Sequence, residues 1–266
     1  MSRKILIIDD YDDLASALKA EFTALGHEVV TTENRDEAVE LAKGTEFDMV
    51  ITDLDGDHLL APGAGNNGHG ELECVPQIAG EKRSNLKAFK ICLKHFKRDE
   101  FNEEELVGLV KTTLNFKSKF IDRGPEMQDR RERIDFEVPS VIALMDDILE
   151  YLMKRVEKLG VIKPERSNLF VALDEAFVNA VKHGNKFDTN KLVHIMVEVS
   201  PKKAKFTIED EGEGFNVSDI PDPRDPENLF KTSGRGVMFI YNIMDKVSYN
   251  KRGNRLTMVK LSEKGD

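Results

Sequence analysis

The run Lys4 to Ile8 (KILII) shows no polar alternation and stops at two aspartates, Asp9 and Asp10. A strand buried on both faces reads this way, whereas a strand with one wet face alternates. The period then changes. Leu14, Ala15, Leu18, Phe22 and Leu25 mark one face of a helix that Gly26 stops, and Glu28 to Thr32 forms the next β-rich run. Asn34 with Glu37 makes a capping box for a helix through Lys43, and Asp48 to Thr52 (DMVIT) predicts a third strand ending at Asp53. This βαβαβ order implies right-handed crossovers and a doubly wound parallel sheet.

In such sheets ligands sit at the carboxyl ends of the strands, so Asp9, Asp10 and Asp53 are expected at one edge. Three converging carboxylates call for a counter-charge, and Mg²⁺ is the hard cation that suits them. A carboxylate in that setting can accept a phosphoryl group. Each aspartate alone could equally cap the helix that follows it. The segments KILIIDDYDDL and DMVITDLDG resemble the response-regulator receiver domain, a flavodoxin-like fold. That resemblance implies that Asp9, Asp10 and Asp53 hold Mg²⁺, that Asp53 is the phosphoacceptor, and that a sensor histidine kinase is the donor.

Past residue 56 the resemblance thins. A Gly-rich stretch, LLAPGAGNNGHGEL, reads as an irregular surface loop, since it lacks the GKS or GKT ending of a P-loop. DLDGDH does not make a calcium loop, because Gly56 comes too early. A strand follows at Ala88 to Leu93, then the helix NEEELVGLVKTTL. The Lys-Pro pair of the receiver pattern is missing, and either Lys94 or Lys97, or neither, is the lysine that neutralises a phosphoryl group.

At 266 residues, two domains are expected rather than one. The formal charge is -10 and sits almost wholly in the N-terminal part, which carries 15 basic and 24 acidic residues up to Asp122. That balance argues against a partner held by bulk positive charge, nucleic acid above all. No apolar stretch approaches a membrane span and the first residues do not form a signal peptide, so a cytoplasmic protein without a membrane partner is expected. Cys74 and Cys92 fit reduced thiols. The segment DRGPEMQDRRER, with Gly124, Pro125 and many charges, predicts a linker over 122–134 between a receiver domain at 1–121 and a second domain at 135–266.

In the second half Leu144, Met145, Ile148, Leu149, Leu152, Val156 and Leu159 follow the helical period, and Gly160 closes that helix. Its apolar stripe could contribute to a homodimer. Ser167 caps a second helix, LFVALDEAFVNAVKHGN, on which Glu175, Asn179 and His183 share a face. LVHIMVEV and KAKFTIED predict an antiparallel hairpin that ends in DEGEGF. In Asp210-x-Gly212-x-Gly214 a carboxylate can accept from an exocyclic amine, while the glycines admit a purine close to the backbone. The Pro-rich segment PDPRDPENLFKTSGRG suits a lid.

The order E-x-x-x-N-A-x-x-H, then DxGxGF, then GRGV resembles the Bergerat-type ATP-binding fold of histidine kinases, gyrase, Hsp90 and MutL, and most closely the bacterial anti-sigma-factor serine kinases. The resemblance implies an α/β sandwich with a mostly antiparallel sheet, ATP and Mg²⁺ as cofactors, Glu175 as general base, Asn179 as the Mg²⁺ ligand and Asp210 as reader of the adenine amine. Gly212, Gly214, Gly234 and Gly236 would shape the nucleotide site, with Arg235 near the phosphates. A conventional histidine kinase is disfavoured, because no histidine lies between Phe96 and Asn179 to accept phosphate. The implied activity is a serine/threonine protein kinase acting on an anti-sigma-factor antagonist, with a sigma factor as a further partner. The alternatives are a partner-sequestering ATP-binding module without turnover, and a Bergerat-fold ATPase.

Overall fold

The computed structural model describes residues 2–11, 13–55, 85–94, 96, 102–122, 130–163, 167–216 and 235–262. The Gly-rich stretch after residue 56, most of the expected lid, Lys97 and Gly234 lie outside them. The chain divides into two compact units, Met1–Val138 and Pro139–Asp266.

The N-terminal unit runs β1 (Lys4–Asp9), α1 (Asp13–Ala24), β2 (Glu28–Thr32), α2 (Arg35–Gly44), β3 (Met49–Asp55), β4 (Leu86–Cys92), α3 (Glu103–Phe116) and β5 (Arg131–Pro139). Its sheet has the order β2-β1-β3-β4-β5. Ile5, Leu6, Ile7 and Ile8 are all fully buried, as an apolar run without alternation requires. Leu6 and Ile8 pack with Ala38 of α2, Val50 and Leu54 in one cluster. Asn34 caps α2 as expected, its side chain accepting from the Glu37 N–H at 2.9 Å. Asn102 caps α3 in the same way through the Glu105 N–H.

Two expectations change here. β1 pairs in parallel with β2 and β3, but β4 runs antiparallel to β3, with Asp53 opposite Phe89, and β5 is parallel to β4. The sheet is therefore mixed rather than doubly wound and parallel throughout. An apolar run carries no polarity, so AFKICL buries itself equally well in either direction. Strand β5 also begins at Arg131, within the segment expected as a linker. Its charges are tolerated there because they are paired: Arg130 with Glu132 at 3.5 Å and Arg133 with Asp135 at 2.8 Å, both carboxylates being buried. Cys92 is buried in β4, while Cys74 lies outside the described residues.

The C-terminal unit runs α4 (Ala143–Lys158), α5 (Leu169–Val178), β6 (Leu192–Ser200), β7 (Lys203–Asp210), α6 (Arg235–Ile243), β8 (Lys246–Tyr249) and β9 (Arg255–Leu261). The strands form an antiparallel sheet in the order β6-β7-β9-β8. Alternating burial along β6 and β7 leaves one face for the core, and α5 packs against both α4 and α6. The stripe on α4 that could have contributed to a dimer is core instead: Leu144, Ile148, Leu149, Leu152 and Val156 are fully buried within the chain. Among the described residues no helix is long and apolar enough to cross a membrane.

Candidate functional sites

The second half of the α5 segment is not α-helical. From Asn179 to Gly184 it widens into a π-helical turn, a feature frequent at functional sites. Glu175, Asn179 and His183 all line one cavity of about 570 Å³. Asp210, Gly214 and Phe215 at the end of β7, and Gly236 in the first turn of α6, close it from other sides. The three sequence segments singled out for nucleotide binding thus meet around one space. Its volume lies in the range of small-molecule and cofactor sites, roughly 300–1,000 Å³.

Close backbone approaches fix this geometry. A Cβ at Gly184 would land on the Asp210 carboxylate, and one at Gly212 would strike the Gly184 carbonyl. A Cβ at Gly236 would meet the Glu175 carboxylate, so the expected base lies directly against the first turn of α6. Gly214 adopts φ +76° beside the Arg252 carbonyl, a conformation and a fit that only glycine offers. The Asp210 carboxylate accepts from the Gly212 N–H at 2.9 Å. Burial raises its pKa above the ordinary carboxylate value, and that hydrogen bond opposes the shift. Arg235 opens α6, but its side chain is outside the described set.

The cavity also holds groups that sequence reasoning passed over. Tyr249 of β8 lines it with Phe215, their rings edge to face at 5.2 Å, and burial pushes the tyrosine phenol up to about 12. Asn254 and Lys186 line it too. Asn179 and Glu175 present the oxygen donors that a Mg²⁺–nucleotide complex needs, and a cavity bounded by an amide and a carboxylate on one helix fits such a group.

In the N-terminal unit Asp9 and Asp53 are register partners on β1 and β3, at the strand ends. Their roles diverge. Asp9 accepts from the backbone N–H groups of Leu14 at 2.8 Å and Ala15 at 2.9 Å, capping α1, and from Tyr11 at 3.3 Å. Burial raises its pKa, with the Asp53 charge adding to the shift. Asp10 accepts from the Asp55 N–H at 2.8 Å. Asp53 is buried, and its Oδ2 is met by the Lys117 ammonium at 2.8 Å and by Lys87 at 3.3 Å. Its Oδ1 is buried without a hydrogen-bond partner.

Lys117 was not on the list of candidate lysines. It lies in a π-helical turn, Lys117–Ile121, that continues α3, and its ammonium also faces Asp122 at 3.3 Å and the ring of Phe89 at 4.8 Å from its centroid. Burial works against its charge, but Asp53 and Asp122 outweigh it and hold the Lys117 pKa above the usual lysine value. Lys94, by contrast, is exposed. Among the described residues no group of three or more His, Cys, Asp or Glu side chains is arranged to hold a metal ion. The unpartnered Asp53 oxygen beside Asp9 is nonetheless a donor of the type a hard cation takes.

Residues 139–260 match the model of the histidine kinase-like ATPase domain. The C-terminal unit is accordingly a GHKL-type ATPase domain, and its mixed α/β architecture with an antiparallel sheet is consistent with that fold. The chain is similar to the serine-protein kinase RsbW of Staphylococcus aureus. The proteins of strains JH9, Newman and JH1 are each 27% identical to it over 146 residues, which is 52% of this chain and 92% of the relative.

Proposed function

We propose that the chain is a cytoplasmic two-domain regulator whose C-terminal unit is an ATP-dependent serine/threonine protein kinase of the anti-sigma-factor type. The observation that carries this reading is the meeting of Glu175, Asn179 and Asp210 around one 570 Å³ cavity. In it Asp210 would accept from the adenine amine, and Asn179 would hold the Mg²⁺ that neutralises phosphate charge. Glu175, one helical turn before Asn179, would take the proton of a serine or threonine hydroxyl on a separate protein as that oxygen bonds to the γ-phosphorus, the bond from that phosphorus to the β,γ-bridging oxygen breaks, and ADP leaves. Similarity to a serine-protein kinase supports the choice of acceptor. By the resemblance of its motifs to the anti-sigma-factor serine kinases the substrate is an anti-sigma-factor antagonist and a sigma factor is a binding partner.

In this reading the N-terminal unit is the input. Asp53 accepts a phosphoryl group from a sensor histidine kinase, with Asp9 and Asp10 beside it for Mg²⁺ and with Lys117 and Lys87 as the counter-cations. Support comes from the burial of Asp53 between two ammonium groups at the ends of β1 and β3.

The test is incubation of the purified chain with Mg-ATP and antagonist proteins, followed by mapping of the phosphorylated residue. Wild type labels a Ser or Thr. Glu175→Gln keeps ATP binding and loses transfer by roughly 100-fold or more, the usual contribution of a general base. Asn179→Ala loses nucleotide binding. Labelling of no antagonist, together with unchanged ATP binding in Asn179→Ala, would defeat the proposal.

A further inference from the structure

Asn185 is buried at the exit of the π-helical turn and does not line the nucleotide cavity. Its side chain ties three segments together. The amide nitrogen donates to Ser140 Oγ at 2.7 Å and to the Leu192 carbonyl at 2.8 Å, and the amide oxygen accepts from the Glu211 N–H at 2.8 Å. Glu211 follows Asp210 directly. On the other side Asn254, also buried, donates to the Asp210 carbonyl at 2.7 Å, while the Asp210 N–H donates to the Asn254 carbonyl at 3.0 Å. Two asparagine side-chain amides therefore hold the two ends of one peptide unit, the Asp210 carbonyl and the Glu211 N–H, directly after the carboxylate that would read the base.

Strain marks the same place. Lys186 and Phe187, immediately after Asn185, both adopt left-handed backbone conformations, φ 57° and 59°. Neither is glycine, and such conformations persist only where the surroundings dictate them. Here the Asn185 N–H bonds to the Ala180 carbonyl at 2.8 Å and the Phe187 N–H to the Val181 carbonyl at 2.9 Å, so the chain is pinned on both sides of the strained pair. Gly184, whose missing Cβ makes room for the Asp210 carboxylate, immediately precedes Asn185.

We infer that Asn185 is a positioning residue for base selection: its amide sets the Asp210 carboxylate where it accepts from an exocyclic 6-amino group, and so determines preference for adenine over guanine nucleotides. The inference rests on the nucleotide reading of the cavity. Guanine carries a carbonyl at that ring position, which a carboxylate repels, so misplacing Asp210 weakens adenine binding and does not weaken guanine binding.

The experiment measures ATP and GTP dissociation constants for the full chain at low temperature, with near-UV circular dichroism as the check on folding. Asn185→Ala is expected to weaken ATP binding by about tenfold, the order of one hydrogen bond to a charged group, with GTP affinity equal to wild type or higher. Asn185→Asp keeps an oxygen for the Glu211 N–H and is expected to retain the ATP preference while losing thermal stability. Ser140→Ala removes a bond on the far side of the same amide and is expected to lower stability without changing selectivity. If Asn185→Ala does not fold, Asn185→Ser, whose hydroxyl is too short to reach Glu211, reads the same ratio. An unchanged ATP-to-GTP ratio in the alanine or serine variant, or an equal loss of the ratio in Asn185→Asp, overturns the inference. Absence of ATP binding in wild type instead removes the nucleotide reading, and the inference with it.

Discussion

Replacing Lys117 with methionine keeps the length of the side chain and removes the charge. Asp53 is then left buried with one ammonium partner, Lys87, at 3.3 Å, and Asp122 loses an ion-pair partner as well. Removing one member of a buried pair costs about 3–5 kcal/mol, because the remaining charge stays desolvated. Lys87 is a little more exposed than Lys117, 12% against 2%, and can move closer to Asp53. That compensation trims the expected cost to about 2–4 kcal/mol. With a urea m-value of about 2 kcal/mol/M, the unfolding midpoint of the N-terminal unit should fall by about 1–2 M. The chain has no tryptophan, so the transition is best followed by hydrogen exchange of peptides from β1 and β3 at increasing urea. Asp53→Asn in the same chain should restore much of the loss, since the uncompensated charge goes with it. A Lys117→Met midpoint within about 0.3 M of wild type, or a double variant worse than the sum of the singles, would refute the view that the pair is buried and coupled.

Gly184→Ala should abolish measurable ATP binding or weaken it by about tenfold or more, because the new Cβ lands on the Asp210 carboxylate; titration calorimetry decides, and wild-type affinity would mean that the carboxylate lies elsewhere. Tyr249 should ionise late in a 295 nm titration, since burial pushes it to about 12 from an ordinary 10, and Tyr249→Phe should remove that late step. The folded form holds that proton more tightly than the unfolded chain. Its contribution is therefore fully present below pH 10 and is lost as pH rises towards 12, so Tyr249→Phe should flatten the fall in stability across that window.

The C-terminal site was legible because its information is local. E-x-x-x-N on one helix and D-x-G-x-G at one strand end state both residue type and spacing, and the cavity collects them as expected. Asn185 and Tyr249 were illegible for the opposite reason: a buried amide that bonds to Ser140, Leu192 and Glu211 leaves no periodic trace. In the N-terminal unit the first three strands and both early helices followed from period and caps. The direction of β4 did not, since burial patterns are the same read forwards or backwards. Lys117 leaves no such signal, because the receiver pattern places its lysine at a strand end, whereas this ammonium arrives from a π-helical turn after α3. That turn, like the one carrying Asn179, departs from the 3.6 period on which helix reading depends.

The Asp53 cluster also shows what a phosphoryl group would require. At pH 7 the four carboxylates of Asp9, Asp10, Asp53 and Asp122 against the two ammonium groups of Lys117 and Lys87 leave a formal charge of -2. Converting the Asp53 carboxylate to an acyl phosphate replaces one negative charge by about two, taking the cluster to about -3 in a buried setting. Lys87 and Lys117 cannot offset that increment, because both already face the same oxygen. A divalent cation more than offsets it, and the buried, unpartnered Asp53 Oδ1 belongs to the class of oxygen it takes. Labelling of Asp53 by a small acyl phosphate should therefore need Mg²⁺ and fall by about tenfold or more when the metal is chelated, with Asp53→Asn as the blank. Equal labelling in the presence of chelator would show that the two lysines suffice, and that the carboxylates of Asp9 and Asp10 serve the backbone N–H groups they already accept from.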